Sequence, residues 1–241
     1  MTDLEAIELR QSRRGYLGTP IPIESIKQLQ TSIEQYNKTS GLSIQWIEDG
    51  RAAFQGFSMG YGMFSGVRSY LALVGKTTDV NLKEKAGYYG ELLVLEATKL
   101  GLGTCWVGGT FNRNQCPAKV REDETLISLI IIGNVAEKKG FKENAIYKLA
   151  HRGTKSLVEL YTSETQVPDW FSEGMKAVQK APSAINQQPV QFTYRDGFVT
   201  AEVKHTDNHQ PIDLGIAKLH FEIGAGGKFE LGNKASFKKI N

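Results

Sequence analysis

Ala181-Pro182-Ser183-Ala184-Ile185-Asn186-Gln187-Gln188-Pro189 is the stretch on which the reading of this chain turns. Pro182 and Pro189 restrict φ at both ends of a segment rich in short hydrogen-bonding side chains, so it reads as a stiff loop whose polar atoms are held outward. Upstream, Pro168 suits the first turn of a helix carrying Phe171, Met175 and Val178. Downstream, Val190 to Tyr194, an Asp196-Gly197 turn and Phe198 to Val203 make a hairpin, and Asp213 to Ile223 a helix with Ile216, Leu219 and Ile223 inward. Helix, rigid loop, hairpin and helix look like the opening of a domain, yet they fall in the last third of a 241-residue chain.

The preceding part has its own elements. Thr2-Asp3-Leu4-Glu5 reads as a capping box that opens a short helix ending near Arg10 to Gly15. Ile26, Leu29, Ile33 and Tyr36 recur at helical spacing after Pro20 and Pro22. Ser43 to Glu48, with Ile44 and Trp46 inward, and Tyr70 to Val74 read as strands. Between them Gly56, Gly60, Gly62 and Gly66 interleave with Phe57, Tyr61 and Phe64; without a closing Gly-Lys-Ser/Thr this is a turning connection, not a phosphate loop. The strongest helix runs from about Asn81 to Leu100, stopped by Gly101-Leu102-Gly103. A polar helix near Asn112 to Arg121 and a buried strand from Leu126 to Ile132 complete this part.

Composition narrows the function classes. The 29 basic and 26 acidic residues leave a net charge of +3, too little to point to nucleic acid or an anionic membrane. The longest nearly apolar run, Leu126 to Gly133, is about one strand long, and Met1 to Glu5 lacks a basic leader, so a cytoplasmic protein is expected. Cys105 and Cys116 are expected as free thiols. His205 and His209 have the spacing of a helical metal pair, but the segment around them has no apolar periodicity, so no metal is expected.

Arg10-Gln11-Ser12-Arg13-Arg14 carries the chemistry. Alternate residues of an extended turn face one way, so Arg10, Ser12 and Arg14 can converge on one anion, and guanidinium forks suit a phosphate monoester. By itself the segment reads equally as a solvated basic turn, and Gly101-Leu102-Gly103 by itself as a helix stop. In combination, Arg-x-Ser-x-Arg-x-Tyr (10–16), Gly-Leu-Gly-Thr-Cys-Trp-Val-Gly-Gly (101–109) after a long Ala/Leu helix, and Pro-Ser-x-x-Asn-x-Gln-Pro (182–189) resemble the FMN-dependent nitroreductase family.

That resemblance implies an α+β nitroreductase-like fold, a central mixed or antiparallel sheet flanked by helices. It implies that Arg10 and Ser12 hold the FMN phosphate and that Arg14 reaches the phosphate or the pyrimidine edge of the flavin. It also implies that Pro182, Ser183, Ala184, Asn186 and Gln188 form the loop packed on the ring, that Val107, Gly108 and Gly109 face the flavin N5 side, and that Arg152 or Lys155 supplies a late phosphate-binding base. No catalytic acid or base is assigned, because the flavin carries the redox chemistry.

In the family the Pro-Ser loop follows the Arg-x-Ser motif by about one helix, on a facing subunit. Here Gln35 to Gly41 has lost the pattern and 182–189 restores it, while Ile212 to Leu219 resembles the start of the family's long helix a second time. The expectation is an internal duplication: 1–160 as a phosphate-binding half, 161–241 as a truncated half supplying the loop, one complete site per chain and a functional monomer or pseudo-dimer. The implied activity is ping-pong hydride transfer from NAD(P)H to a nitro compound or quinone. The alternatives are another flavin reduction such as dehalogenation, with Gly56 to Gly66 on the substrate side, and a non-catalytic flavin carrier.

Overall fold

The computed structural model describes residues 1–55, 63–140, 143–145 and 153–240. Helix α1 (Asp3–Leu9) opens with the expected capping box: Thr2 N–H donates to the Glu5 carboxylate at 2.7 Å and Glu5 N–H to the Thr2 hydroxyl at 3.2 Å. The chain then forms two compact units. One comprises Leu9–Leu82 and Leu93–Ala150, the other Met1–Glu8, Lys83–Leu92 and His151–Asn241.

The first unit holds α2 (Ile23–Ser40), β1 (Gln45–Ile47), β2 (Ser69–Lys76), the C-terminal half of α3 (Leu82–Lys99), β3 (Gly103–Val107) and β4 (Glu124–Gly133). The strands make an antiparallel sheet in the order β1-β2-β4-β3. Its two inner strands are apolar on both faces, with Leu71 to Val74 and Leu129 to Ile132 fully buried, which is why they read as continuous hydrophobic runs. α3 ends in a Schellman motif: Gly101, at φ 75°, donates its N–H to Thr98 O, and Leu102 donates to Ala97 O at 2.9 Å. That stop sets the chain directly into β3.

Two expectations need correction here. The polar helix expected over 112–121 is only a 3₁₀ turn, Arg113–Gln115. Pro117 is the reason, since it excludes helical backbone at the preceding residue, and Cys116 is extended at ψ 119°. The strand expected over 43–48 shortens to Gln45–Ile47, because the Asn37 side chain takes both backbone groups of Ile44, at 2.7 and 2.9 Å.

The second unit contains β5 (Tyr161–Ser163), α4 (Asp169–Gln179), β6 (Gln191–Arg195), β7 (Phe198–Glu202), α5 (Gln210–Ala225), β8 (Gly227–Phe229) and β9 (Ser236–Lys239). Its sheet runs β5-β6-β7-β9-β8 and is mixed, since β5 pairs parallel with β6 and the rest are antiparallel. The hairpin turn has Asp196 at φ 50° and Gly197 at φ 84°, the positive pair a two-residue turn of this hand requires. The core is aromatic: Phe171, Phe192, Phe221 and Phe237 are buried together, and the Phe192 and Phe221 rings stack at 5.1 Å.

α5 is buried almost all round and meets the N-terminal half of α3 at very close range. A Cβ on Gly215 would lie 2.0 Å from Glu84 O, and one on Gly87 would lie 2.1 Å from Ile212 O, so both positions require glycine. Two buried side-chain pairs lie in this crossing. Lys218 Nζ donates to the Glu84 carboxylate at 2.6 Å, and the His220 ring meets the Glu91 carboxylate at 3.0 Å with both side chains fully buried. The observed architecture is therefore α+β, with one antiparallel and one mixed sheet and helices packed on them. No helix among the described residues is long and apolar enough to cross a membrane.

Candidate functional site

The Arg-rich turn lies in the first unit and is extended for a structural reason. After α1 the chain runs as a ribbon: Ser12 bridges to Thr104 of β3 and Gly15 to Ser65. Arg13 N–H donates to Thr104 O at 2.8 Å, and Ser65 and Tyr16 N–H donate to Arg14 O and Ser65 O at 2.9 Å. Extended backbone sends neighbouring side chains to opposite sides, so Arg10, Ser12 and Arg14 share one side and Arg13 takes the other.

The surroundings show that division. Ser12 hydrogen-bonds the Cys105 thiol, and Arg14 and Arg10 both act on it electrostatically. Burial pushes that thiol up more than the two guanidiniums and Ser12 pull it down, so it remains protonated. Arg13 instead makes a two-point pair with Glu143, from Nε at 2.9 Å and Nη2 at 3.2 Å, and its Nη2 also donates to Ala136 O at 3.0 Å. Tyr16 is buried and donates its hydroxyl to Arg13 O at 2.8 Å, which fixes the end of the turn.

Lys139 belongs to the same cluster. Burial lowers its pKa, Glu143 acts in the opposite direction, and Arg13, Arg14 and Arg10 lower it further. Arg10, Arg13, Arg14 and Lys139 thus share one neighbourhood with the Glu143 carboxylate. Arg14 Nε is buried and donates to nothing among the described residues, so it is a donor that a ligand's acceptor would satisfy.

The other predicted residues of this unit sit where β3 leaves the sheet. Val107 is buried, and its carbonyl accepts from the Ser128 hydroxyl at 2.9 Å. Gly108 and Gly109 follow outside the strand, and a Cβ on Gly109 would meet nothing within 4 Å, so open space lies beside that backbone. Arg152 lies outside the described residues, as do Gly56 to Gly62 with Phe57, Met59 and Tyr61.

The Pro182 to Pro189 loop lies in the second unit and is rigid beyond what its prolines impose. Ile185, Asn186 and Gln188 have φ of 47°, 52° and 46°, conformations that cost non-glycine residues energy and a β-branched residue most. Hydrogen bonds hold it there: Gln188 N–H to the Ser183 hydroxyl at 2.9 Å, Gln188 Nε2 to Gln179 O at 3.1 Å, and Ala184 N–H to the Asp213 carboxylate at 3.1 Å. Lys155 serves the same loop, donating from N to Gln188 Oε1 and from Nζ to Gln188 O, each at 2.8 Å. Ser183 and Gln188 therefore spend hydrogen bonds on the loop itself, while Ala184 and Ile185 are exposed.

Sequence reasoning missed three groups: Lys139, Glu143 and Asp213. Glu143 is 130 residues from Arg13, in a segment without a recognisable motif, and Asp213 looks like any acid in a helix's first turn. Burial alone distinguishes it: the residue is 5% exposed and its carboxyl is pushed up from the ordinary 3.8 to about 7.

Comparison with known proteins adds the following. A family model described as "Putative TM nitroreductase" matches residues 3–225. A crystal structure described as a putative nitroreductase from Thermotoga maritima MSB8 is 20% identical, with a TM-score of 0.65, covering 98% of this chain and 92% of that one. An FMN-dependent nitroreductase from Clostridium difficile R20291 is 17% identical with a TM-score of 0.44, covering 62% of this chain and 98% of that one. A nitroreductase family protein from Clostridium novyi NT is 18% identical with a TM-score of 0.46, covering 57% and 87%. No curated protein matches the chain.

Proposed function

The chain belongs to the family described as Putative TM nitroreductase, and from that premise we propose that it is an FMN-dependent oxidoreductase that passes hydride from NADH or NADPH to a nitro compound or quinone in two alternating half-reactions. The observation that carries the cofactor assignment is the buried Arg14 Nε without an acceptor among the described residues, set in a cluster of four cations around one carboxylate. Removing that much positive charge from water is costly, and a phosphate dianion offsets the cost while accepting from several donors at once. The residues present fit the group. Arg10, Ser12, Arg14 and Lys139 would hold the phosphate; the backbone at Gly108 and Gly109, open beside Gly109, would lie along the ring.

When bound, FMN supplies the hydride acceptance and donation that no side chain here can. The chain's own contribution is binding and orientation. Guanidiniums at the turn favour the phosphate and any negative charge near them. The strained 183–188 loop is locked by Ser183, Lys155 and Asp213 and keeps Ala184 and Ile185 exposed. One flavin per chain follows from the single Arg-x-Ser-x-Arg motif.

Purified protein tests the proposal directly. It should be yellow or take up added FMN, and its flavin absorbance should bleach on anaerobic addition of NADH or NADPH and return with a quinone or nitroarene. Protein that binds no FMN refutes the cofactor; colour that never bleaches refutes the reaction and leaves a carrier.

A further inference from the structure

Glu143 holds the C-terminal end of the Arg-rich turn, at Arg13, Arg14 and Gly15. Its carboxylate accepts Arg13 Nε at 2.9 Å, Arg13 Nη2 at 3.2 Å and Arg14 N–H at 2.7 Å, and it also takes the Gly15 N–H. Both partners of the ion pair are nearly buried, with side chains 11% and 5% exposed. A Cβ on Gly15 would lie 3.3 Å from Glu143 Oε2, so glycine at that position gives the carboxylate its seat. Burial pushes the carboxyl up, but Arg13 and the backbone donors outweigh it and hold Glu143 ionised.

We propose that Glu143 is the positioning residue of the anion site: it pulls Arg13 back, clamps the Arg14 and Gly15 amides, and so aims Arg10, Ser12 and Arg14 at one phosphate. The inference rests on the assignment of FMN phosphate to this turn. Two physical roles for Glu143 predict opposite signs. A carboxylate acting only as a counter-charge weakens anion binding, and neutralising it tightens the site. A carboxylate acting as a clamp holds the donors in register, and neutralising it loosens the site although the net charge becomes more positive.

The test is a titration of wild type, Glu143→Gln and Glu143→Asp with FMN and with riboflavin, followed by flavin fluorescence. Riboflavin has the ring and lacks the phosphate, so the ratio of the two affinities reads the phosphate contact apart from the fold. Wild type should prefer FMN by about tenfold or more, the range for a charge-assisted contact. Glu143→Gln should weaken FMN by about tenfold and leave riboflavin within about twofold, with Glu143→Asp recovering part of the loss. FMN binding equal to or tighter than wild type in Glu143→Gln overturns the proposal, as does a loss shared equally by both flavins. If wild type does not distinguish FMN from riboflavin, the phosphate assignment itself fails. Should Glu143→Gln not fold, Arg13→Lys replaces it: this keeps the charge and loses the fork, so the FMN preference should fall likewise, and an unchanged preference overturns the clamp.

Discussion

Replacing Asp213 by Asn should make the protein more stable at neutral and alkaline pH, an unusual outcome for removing a charge from a helix's first turn. Such a carboxylate normally gains about 0.3–1 kcal/mol from the helix dipole. Asp213 is 5% exposed, however, and lines a cavity of about 20 Å³, mostly apolar through residues such as Leu160, Val178 and Val190 but reached also by Ser183 and Gln188, with room for about one water. Burial dominates and raises its pKa from 3.8 to about 7, with the Ala184 N–H acting only partly against it. A raised acid pKa means that the folded state holds its proton while the unfolded chain has lost it. The associated stability is fully present below pH 3.8, declines as pH rises, and is gone above about 7.

At about 1.4 kcal/mol for each tenfold change in proton affinity, the displacement from 3.8 to about 7 amounts to about 4 kcal/mol in all. About 2–3 kcal/mol of that falls between pH 5 and pH 8. Asn is nearly isosteric, keeps an oxygen for the Ala184 N–H and does not titrate. Urea unfolding of both proteins at pH 5, 6, 7 and 8, with m-values compared to confirm a common unfolded state, should show Asn gaining on Asp by about 2–3 kcal/mol across the range. A difference that is flat with pH within about 0.5 kcal/mol, or one that grows in favour of Asp, refutes the argument that burial outweighs the amide and the dipole.

Further expectations follow from the same structure. Arg14→Ala should cost FMN about 1.5–3 kcal/mol of binding, measured by titration against riboflavin as control; equal losses for both ligands contradict a phosphate contact. Lys218→Met should leave the Glu84 carboxylate buried and unpaired and cost about 3–5 kcal/mol in urea unfolding; a cost under about 1 kcal/mol contradicts the pairing. Gly215→Ala places a methyl 2.0 Å from Glu84 O and should cost at least about 1–3 kcal/mol, whereas Gly197→Ala, strained but sterically open, should cost about 1 kcal/mol. FMN should bind one per chain, with monomers in sedimentation; binding only in dimers refutes a single-chain site.

What was legible in the sequence is what local physics determines. The capping box at Thr2, the glycine stop at Gly101 and the Asp196-Gly197 turn each rest on the conformational needs of a few consecutive residues, and each is present. Buried strands β2 and β4 were visible as apolar runs because their burial is two-sided. The short strands β5, β8 and β9 were not visible, since three or four residues carry too little periodicity and their pairing is decided by neighbours elsewhere in the sheet. The helix expected over 112–121 failed at Pro117, a local signal that the polar composition obscured.

The site divides along the same line. Arg10, Ser12 and Arg14 could be grouped from spacing because an extended backbone fixes which side chains share a face. The partners that hold the turn and the loop could not, because neither an ion pair nor a long-range hydrogen bond has a sequence periodicity: Glu143 reaches Arg13 across 130 residues and Asp213 accepts from the Ala184 N–H across 29. These partners bear on rigidity as much as on charge. Strained φ values at Ile185, Asn186 and Gln188 persist only if surrounding contacts over-determine them, and those contacts come from Lys155, Gln179, Ser183 and Asp213. Glu143 stands in the same relation to the Arg-rich turn, where one buried carboxylate satisfies a guanidinium and two amides so that the neighbouring side chains need not. On the proposed reading the motif in each place supplies groups for a ligand, while residues distant in sequence supply the force that keeps them in place. A substitution at such a distant residue should therefore change ligand discrimination before it changes the fold, which is the outcome that the Glu143 titration isolates.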